Sequence, residues 1–286
     1  MKTSLGLLTL TLPLLASAEV LYDPTLGTLP NAQGWNYVSL PFSTPISLDG
    51  SEARLNTMAL LQVSAGVSRI APVPLDRTAG FTLRVTLRVL DENHGTRVDR
   101  AGCSVTVLGL DRKGIELGFW KDRVWAQSDS PLFTHAEEAL WPNTDSHTFE
   151  LTLQGATYTL GVGGKTVLTG PIRDYTPFVG LIDPYETPNF LFIGDNTTSA
   201  GASIGLGRVE LVALQVTPPS LSPLLLGDYL VLRWPEAITG RVLEFSSGLG
   251  PDAVWTALEA SPLKQGAFWE VAVAVTESAR FFRLRP

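Results

Sequence analysis

The chain has 286 residues, room for more than one domain, and its 44% hydrophobic and 17% charged content excludes a disordered protein. A formal net charge of −7, with no run of Lys or Arg, argues against nucleic acid or an anionic membrane surface as partner. A single cysteine excludes an internal disulfide framework.

The first element is a leader. Lys2 precedes an apolar run from Leu5 to Leu15, and Ala16-Ser17-Ala18 supplies small residues for cleavage. Residues 1–18 read as a signal peptide, with Glu19 as the mature start. No later stretch reaches the ~18 apolar residues of a spanning helix, so no membrane insertion is expected. The mature protein is expected to be secreted, extracellular or periplasmic, with cell-surface association open.

Downstream, the periodicity is almost wholly two. Helical spacing is best at Ser51 to Ser64, where Leu55, Ala59, Leu60 and Val63 could share a face. Phe81 to Val89 alternates without fault, apolar at odd positions and polar at even ones. Cys103, Val105 and Val107 alternate inward, which makes Cys103 a buried structural thiol. His147 to Leu153 alternates as well. Tyr158, Leu160 and Val162 lead into a Gly163-Gly164 hairpin signal and then Lys165 to Leu168. A last strand starts after Gly207 and runs Arg208 to Leu214. With 26 glycines and 20 prolines as punctuation, the chain reads as all-β. Residues 19–216 suit one large β-sandwich. Residues 217–223, with Pro218, Pro219 and Pro223, read as a Pro-rich linker. Residues 224–286 form a small β module, with strands expected at Tyr229–Trp234, Arg241–Ser246, Trp255–Glu259, Phe268–Val275 and Arg280–Leu284.

The richest segment is Gly114 to Gln127. Folded at Lys121-Asp122, it sets Trp120 opposite Arg123, Gly118 opposite Trp125 and Glu116 opposite Gln127, all on one face. Ile115, Leu117, Phe119, Val124 and Ala126 take the other face, which is the one a core needs. The first set suits a sugar platform: rings to stack on, with a carboxylate, an amide and a guanidinium for hydroxyls. The competing reading is a face covered by the protein itself, with Glu116 tied to an arginine. His135, in Phe133 to Glu137, is expected in a loop at the rim of the same face, as a general base, a ligand contact or a hydrogen-bonded loop residue. Arg173 and Asp174 belong to a polar-aromatic loop that is either a binding element or an ion-pair network, and Arg100 could pair with Glu116 or Asp174. Asp183, Asp195 and Asn196 are candidates for a structural calcium ion; no cofactor is required otherwise.

Several words in the chain resemble the bacterial choice-of-anchor Y domain family. They are Asp99 to Gly102, Gly114 to Trp120, Trp125 to Gln127, Phe133 to Glu137, Gly170 to Tyr175, and Asp183 to Phe190 running into Gly194 to Thr198. The resemblance covers about Tyr22 to Val216 and implies an exported, surface-destined domain without a defining activity. At fold level the region resembles concanavalin A-like and laminin G-like jelly rolls. Leu232 to Pro235, Leu243 to Ser247, Trp255 and Ala279 to Leu284 are similar to C-terminal modules of secreted verrucomicrobial proteins, which implies a fibronectin-III-like accessory role. The chain ends on this module and shows no sorting segment.

Enzyme templates fail on the page. No E-x-D-x-x-E strand, G-x-S-x-G, H-E-x-x-H or Cys/His zinc spacing is present. Non-catalytic binding of a glycan or other extracellular ligand is therefore the first expectation. A carbohydrate-active enzyme (glycoside hydrolase or polysaccharide lyase) using Glu116 with His135 or Glu137 is the second, and a structural cell-surface or matrix component the third. Ligand identity and oligomeric state are not written in the sequence.

Overall fold

A computed structural model describes residues 16–59, 62–180, 182–214, 221–236, 241–250, 253–275 and 280–285. Most of the expected leader, and residues 217–220 of the expected linker, lie outside these. The chain divides into two compact units between Gln215 and Val216.

The first unit opens with β1 Ala16–Tyr22, β2 Asn36–Leu40, β3 Ile46–Asp49, β4 Glu52–Asn56 and β5 Ser64–Ile70. Then come β6 Phe81–Asn93, β7 Ser104–Leu108, β8 Gly114–Phe119, β9 Arg123–Asp129 and β10 Leu132–Leu140. It closes with β11 His147–Gln154, β12 Thr157–Val162, β13 Lys165–Pro171, β14 Phe190–Asp195 and β15 Gly201–Leu214. They build two antiparallel sheets. Sheet A runs β13-β12-β11-β6-β15-β4-β3, with β1 added to β15; sheet B runs β10-β9-β8-β7-β14-β5-β2. One core joins them, with Leu83, Val85, Phe149 and Leu151 from sheet A and Val105, Val107, Ile115 and Leu117 from sheet B. This is the all-β sandwich that the alternation predicts, in the jelly-roll form that the fold-level resemblance implies.

Alternation explains the core strands directly. In β6 every odd position from Phe81 to Val89 is buried and every even one is partly exposed. Cys103 is fully buried in the core, and burial pushes its thiol far up. Gly163 and Gly164 both take positive φ, 56° and 78°, as the tight β12–β13 hairpin requires.

Two expectations need correction, and two further segments take strand pairing. Ser51 to Ser64 holds β4 and the start of β5 rather than a helix: Ala53 and Leu55 alternate inward against β15, and residues 60 and 61 lie outside the described set. The last strand begins at Gly201, not after Gly207. Its register slips between Leu206 and Val209, a bulge at a glycine whose Cβ would sit 2.9 Å from Thr86. Ala16 to Ala18, expected as the end of the leader, pair with Leu214, Ala213 and Val212. Ser222 and Pro223, expected in the linker, pair with Arg233 and Leu232 in an edge strand, where proline needs no donor.

The second unit has seven strands among its described residues: β16 Ser222–Leu226, β17 Tyr229–Pro235, β18 Val242–Ser246, β19 Thr256–Ala257, β20 Leu263–Gln265, β21 Phe268–Ala274 and β22 Phe281–Arg285. They form sheets β16-β17-β21-β20 and β19-β18-β22. Leu232, Trp234, Val271 and Val273 of one sheet share a core with Leu243, Phe282 and Leu284 of the other. No helix among the described residues is long and apolar enough to cross a membrane.

Candidate functional site

The outer faces of the two sheets differ in what covers them. On sheet A the outer face is a set of cross-strand pairs: Thr82 with Thr152, Thr86 with Thr148, and Arg84 with Glu150. On sheet B both faces are closed, since β7 and β8 are buried at every position. Two segments do the covering. Residues 94–103 lie over the β8–β9 end, where Trp120 donates its Nε1–H to the Arg100 carbonyl at 2.8 Å. Residues 173–180 and 182–185 lie over the other end, where Tyr175 and Tyr185 pack on Leu108.

The hairpin takes the expected register, with Gly118 opposite Trp125 and Leu117 opposite Ala126. The expected open platform is absent. Trp120 is 8% exposed and Trp125 is 0% exposed. His94 stacks on Trp120 at 3.9 Å between centroids, and His135 stacks on Trp125 at 4.6 Å. The indole of Trp125 lies flat across Gly118, whose Cβ would fall 2.7 Å from the ring. Each ring face that a sugar would need is taken by another side chain. Arg123 is occupied by Asp122 and Glu138 while sitting 5.4 Å above Trp120.

His135 is not in a rim loop. It belongs to β10, an edge strand whose register slips on either side of it. The slips turn its ring onto Trp125. Its Nδ1 lies 2.7 Å from the Val98 carbonyl, and its Nε2 lies 2.8 Å from the Glu138 carboxylate without a hydrogen bond. Glu137 is gripped by Arg173 at 2.7 Å and receives the Tyr158 hydroxyl. Asp174 pairs with Lys113 and caps Thr176, which hold its carboxyl below the usual range. Arg173 and Asp174 thus serve an ion-pair network.

The calcium candidates point apart. Asp195 turns into the sandwich, where the Thr57 hydroxyl donates to Oδ2 at 2.6 Å and the Thr197 N–H to Oδ1 at 3.0 Å. The next residue, Asn196, faces the opposite side and donates to Glu116. Asp183 accepts the Tyr185 N–H. Among the described residues no group of three His, Cys, Asp or Glu is placed to hold a metal.

What remains on sheet B is a cleft of about 920 Å³ between the two covering segments. Two rows of residues floor it. One row crosses from Glu116 through Thr106 and Phe192 to Ser68. The next runs Gly118, Ser104, Gly194, Gly66. The small second row gives the large rings room: a Cβ on Gly66 would meet Phe192 at 2.5 Å. Phe133, Phe178, Ile182 and Tyr185 wall one side, and Val38 and Leu40 wall the other.

Glu116 is the chemical centre of the floor. Its Oε2 receives the Tyr185 hydroxyl at 2.5 Å and the Thr106 hydroxyl at 3.3 Å; its Oε1 receives the Asn196 amide at 2.9 Å. Burial raises its carboxyl above the ordinary range, against these donors and the nearby Arg100 charge. It is tied to a phenol and two uncharged groups, not to an arginine; Arg100 pairs with Asp99 and donates to the Phe133 carbonyl. Beside it, the Tyr175 hydroxyl accepts the Glu116 N–H and donates to the Gln127 carbonyl, wedging the β8–β9 ladder open. Gln127 is 5% exposed; its Nε2 donates to the Asp99 carbonyl, while its Oε1 has no partner.

The structure therefore keeps Glu116, Gln127, Asn196 and Asp183 at the cleft and moves Trp120, Arg123, Trp125, His135, Arg173 and Asp174 into its supports. Glu137, like His135, is not among the residues lining the cleft with Glu116. Sequence reasoning missed Thr106 and Phe192 as site residues, while Tyr185 and Arg100 entered it only as members of polar loops that could be a binding site or an ion-pair network. Phe190-Leu191-Phe192-Ile193 carries a signal for one of them, since alternation puts both phenylalanines opposite the core-facing Leu191 and Ile193.

No protein-family model matches the chain, and no curated protein matches it. Solved structures share the sandwich distantly. A carbohydrate esterase of the Shiga toxin-encoding bacteriophage phi24B gives a TM-score of 0.47 at 14% identity, covering 69% of this chain and 99% of that one. A Bacillus subtilis protein of unknown function with a galectin-like fold gives 0.42 at 11%, covering 68% and 96%. The carbohydrate recognition domain of Emp46p, in its metal-free form, gives 0.39 at 11%, covering 62% and 87%. At this distance the functional reading rests on the cleft itself.

Proposed function

We propose that this chain is a secreted, non-catalytic binding protein that takes a glycan in the sheet B cleft. The observation that carries the reading is the cleft's make-up. Aromatic and aliphatic walls surround a few polar groups fixed in place, the arrangement of a specific ligand site. Glu116 is held by three donors, and beside it the buried Gln127 Oε1 has no partner among the described residues. Phe192 and Phe133 supply apolar surface for a sugar's C–H face. In this reading residues 19–216 are a domain of the choice-of-anchor Y type, exported by the leader, and residues 224–286 are a fibronectin-III-like accessory module.

The test is a glycan array probed with the full chain, followed by calorimetry on the best binder. Phe192→Ala and Gln127→Ala are each expected to weaken binding by about tenfold or more, the scale of one lost ring contact or hydrogen bond. Arg84→Ala, on the outer face of sheet A, is expected to bind as the parent does. Equal binding by all three variants would remove the cleft from consideration.

A further inference from the structure

The cleft's charges restrict which glycan it can hold. Among the lining residues the carboxyl groups are Glu116, Asp183 and Asp195, and the one cation is Arg100. Asp195 is turned away to Thr57. Arg100 is already matched: it lies 3.4 Å from the Asp99 carboxylate and donates to the carbonyls of Asp99 and Phe133. Glu116 has no ion-pair partner; its three bonds come from Tyr185, Thr106 and Asn196. Asp183 is likewise held only by a backbone N–H.

Apart from the Ser68 hydroxyl and the second amide N–H of Asn196 and of Gln127, the donors of the floor are engaged. Tyr185, Thr106 and Asn196 give theirs to Glu116, Ser104 gives its own to the Gly194 carbonyl at 3.0 Å, and Gln127 gives Nε2 to Asp99. Gln127 Oε1 is an acceptor with no partner among the described residues, and the atom is itself buried beneath the floor. Glu116 Oε1, with one donor from Asn196, keeps capacity for a second. Floor acceptors are answered by hydroxyl or amide N–H groups, and a carboxylate or sulfate brings neither.

We infer that the cleft is selective for uncharged sugar units and rejects uronate or sulfated ones, with Glu116 as the residue that enforces the choice. The inference rests on the cleft being the glycan site. An anionic ring laid over the floor would set its charge against a buried carboxylate in surroundings that screen it poorly. Burial already opposes the Glu116 charge, and a second anion beside it would oppose it further.

The experiment compares oligosaccharides that differ only at C6. Galacto-, gluco- and manno-oligosaccharides are titrated against their galacturonate, glucuronate and mannuronate counterparts of equal length, with the full chain at pH 7.5. The expected result is binding of at least one neutral series, with its uronate partner at least tenfold weaker. Glu116→Gln, checked for folding by its melting transition, is expected to narrow that gap to less than threefold. The wild-type comparison stands even if that variant does not fold. Uronates binding as tightly as their neutral partners would overturn the inference and leave the glycan site in place. A gap unchanged in a folded Glu116→Gln would overturn the role given to Glu116. Failure of every neutral and anionic series to bind would overturn the glycan reading, and the inference with it.

Discussion

Two tryptophans of the β8–β9 hairpin are structural at the scale of single residues. Trp125 is wholly buried between Gly118 and the His135 ring. Replacing it with Ala removes a large side chain from a packed site, and the expected cost is about 3–5 kcal/mol in urea unfolding. A loss below 1 kcal/mol would mean the indole is not part of the packing. Asp195 gives a pH signature. Burial pushes its carboxyl up to about 8, against hydrogen bonds from the Thr57 side chain and the Thr197 backbone. In the unfolded chain the same group titrates near about 4. Between those values the folded chain holds a proton that the unfolded chain has released, so this residue makes stability fall as pH rises through that window. Its slope is at most about 1.4 kcal/mol per pH unit. Asp195→Asn is expected to gain on the parent steadily from pH 5 to 8 and to level off above it. Parallel stability curves for the two proteins would refute the buried, protonated Asp195.

At the scale of elements, the cleft depends on small residues in β8, β14 and β5. Gly118 is expected to tolerate no side chain, because a Cβ would press on Trp125 at 2.7 Å. Gly118→Ala should cost about 1–3 kcal/mol by overpacking and change the near-ultraviolet circular dichroism of the indoles. An unchanged spectrum would show that the ring moves freely. The alternation of β8 was legible in the sequence, and so was the pairing of Gly118 with Trp125; β5 and β14 were not read as strands. The role of β10 was not. Phe133 to Glu137 carries no clean period, because the slips around His135 break the alternation that reveals a strand. The ladder break at Glu116 was equally hidden. It is made by the Tyr175 hydroxyl, which comes from a segment far along the chain.

At the scale of the molecule, the chain splits at Gln215/Val216 and each side has its own core. A fragment of residues 16–215 is expected to melt cooperatively and to keep the full chain's glycan affinity within about threefold, since every cleft residue lies in it. Loss of cooperative melting would show that the first unit needs the second. The sequence by itself determined the all-β class, the core positions of β6, β7 and β11, and which hairpin side chains leave the core. Those follow from the two-residue period of an extended backbone, which is local. Only the tertiary structure decided what becomes of the outward set. Residues 94–103, 173–180 and 182–185 close over sheet B, burying Trp120 and Trp125 and leaving Glu116 and Gln127 at the floor of a cleft. Whether an outward face stays open depends on packing between distant segments, and no local period records that.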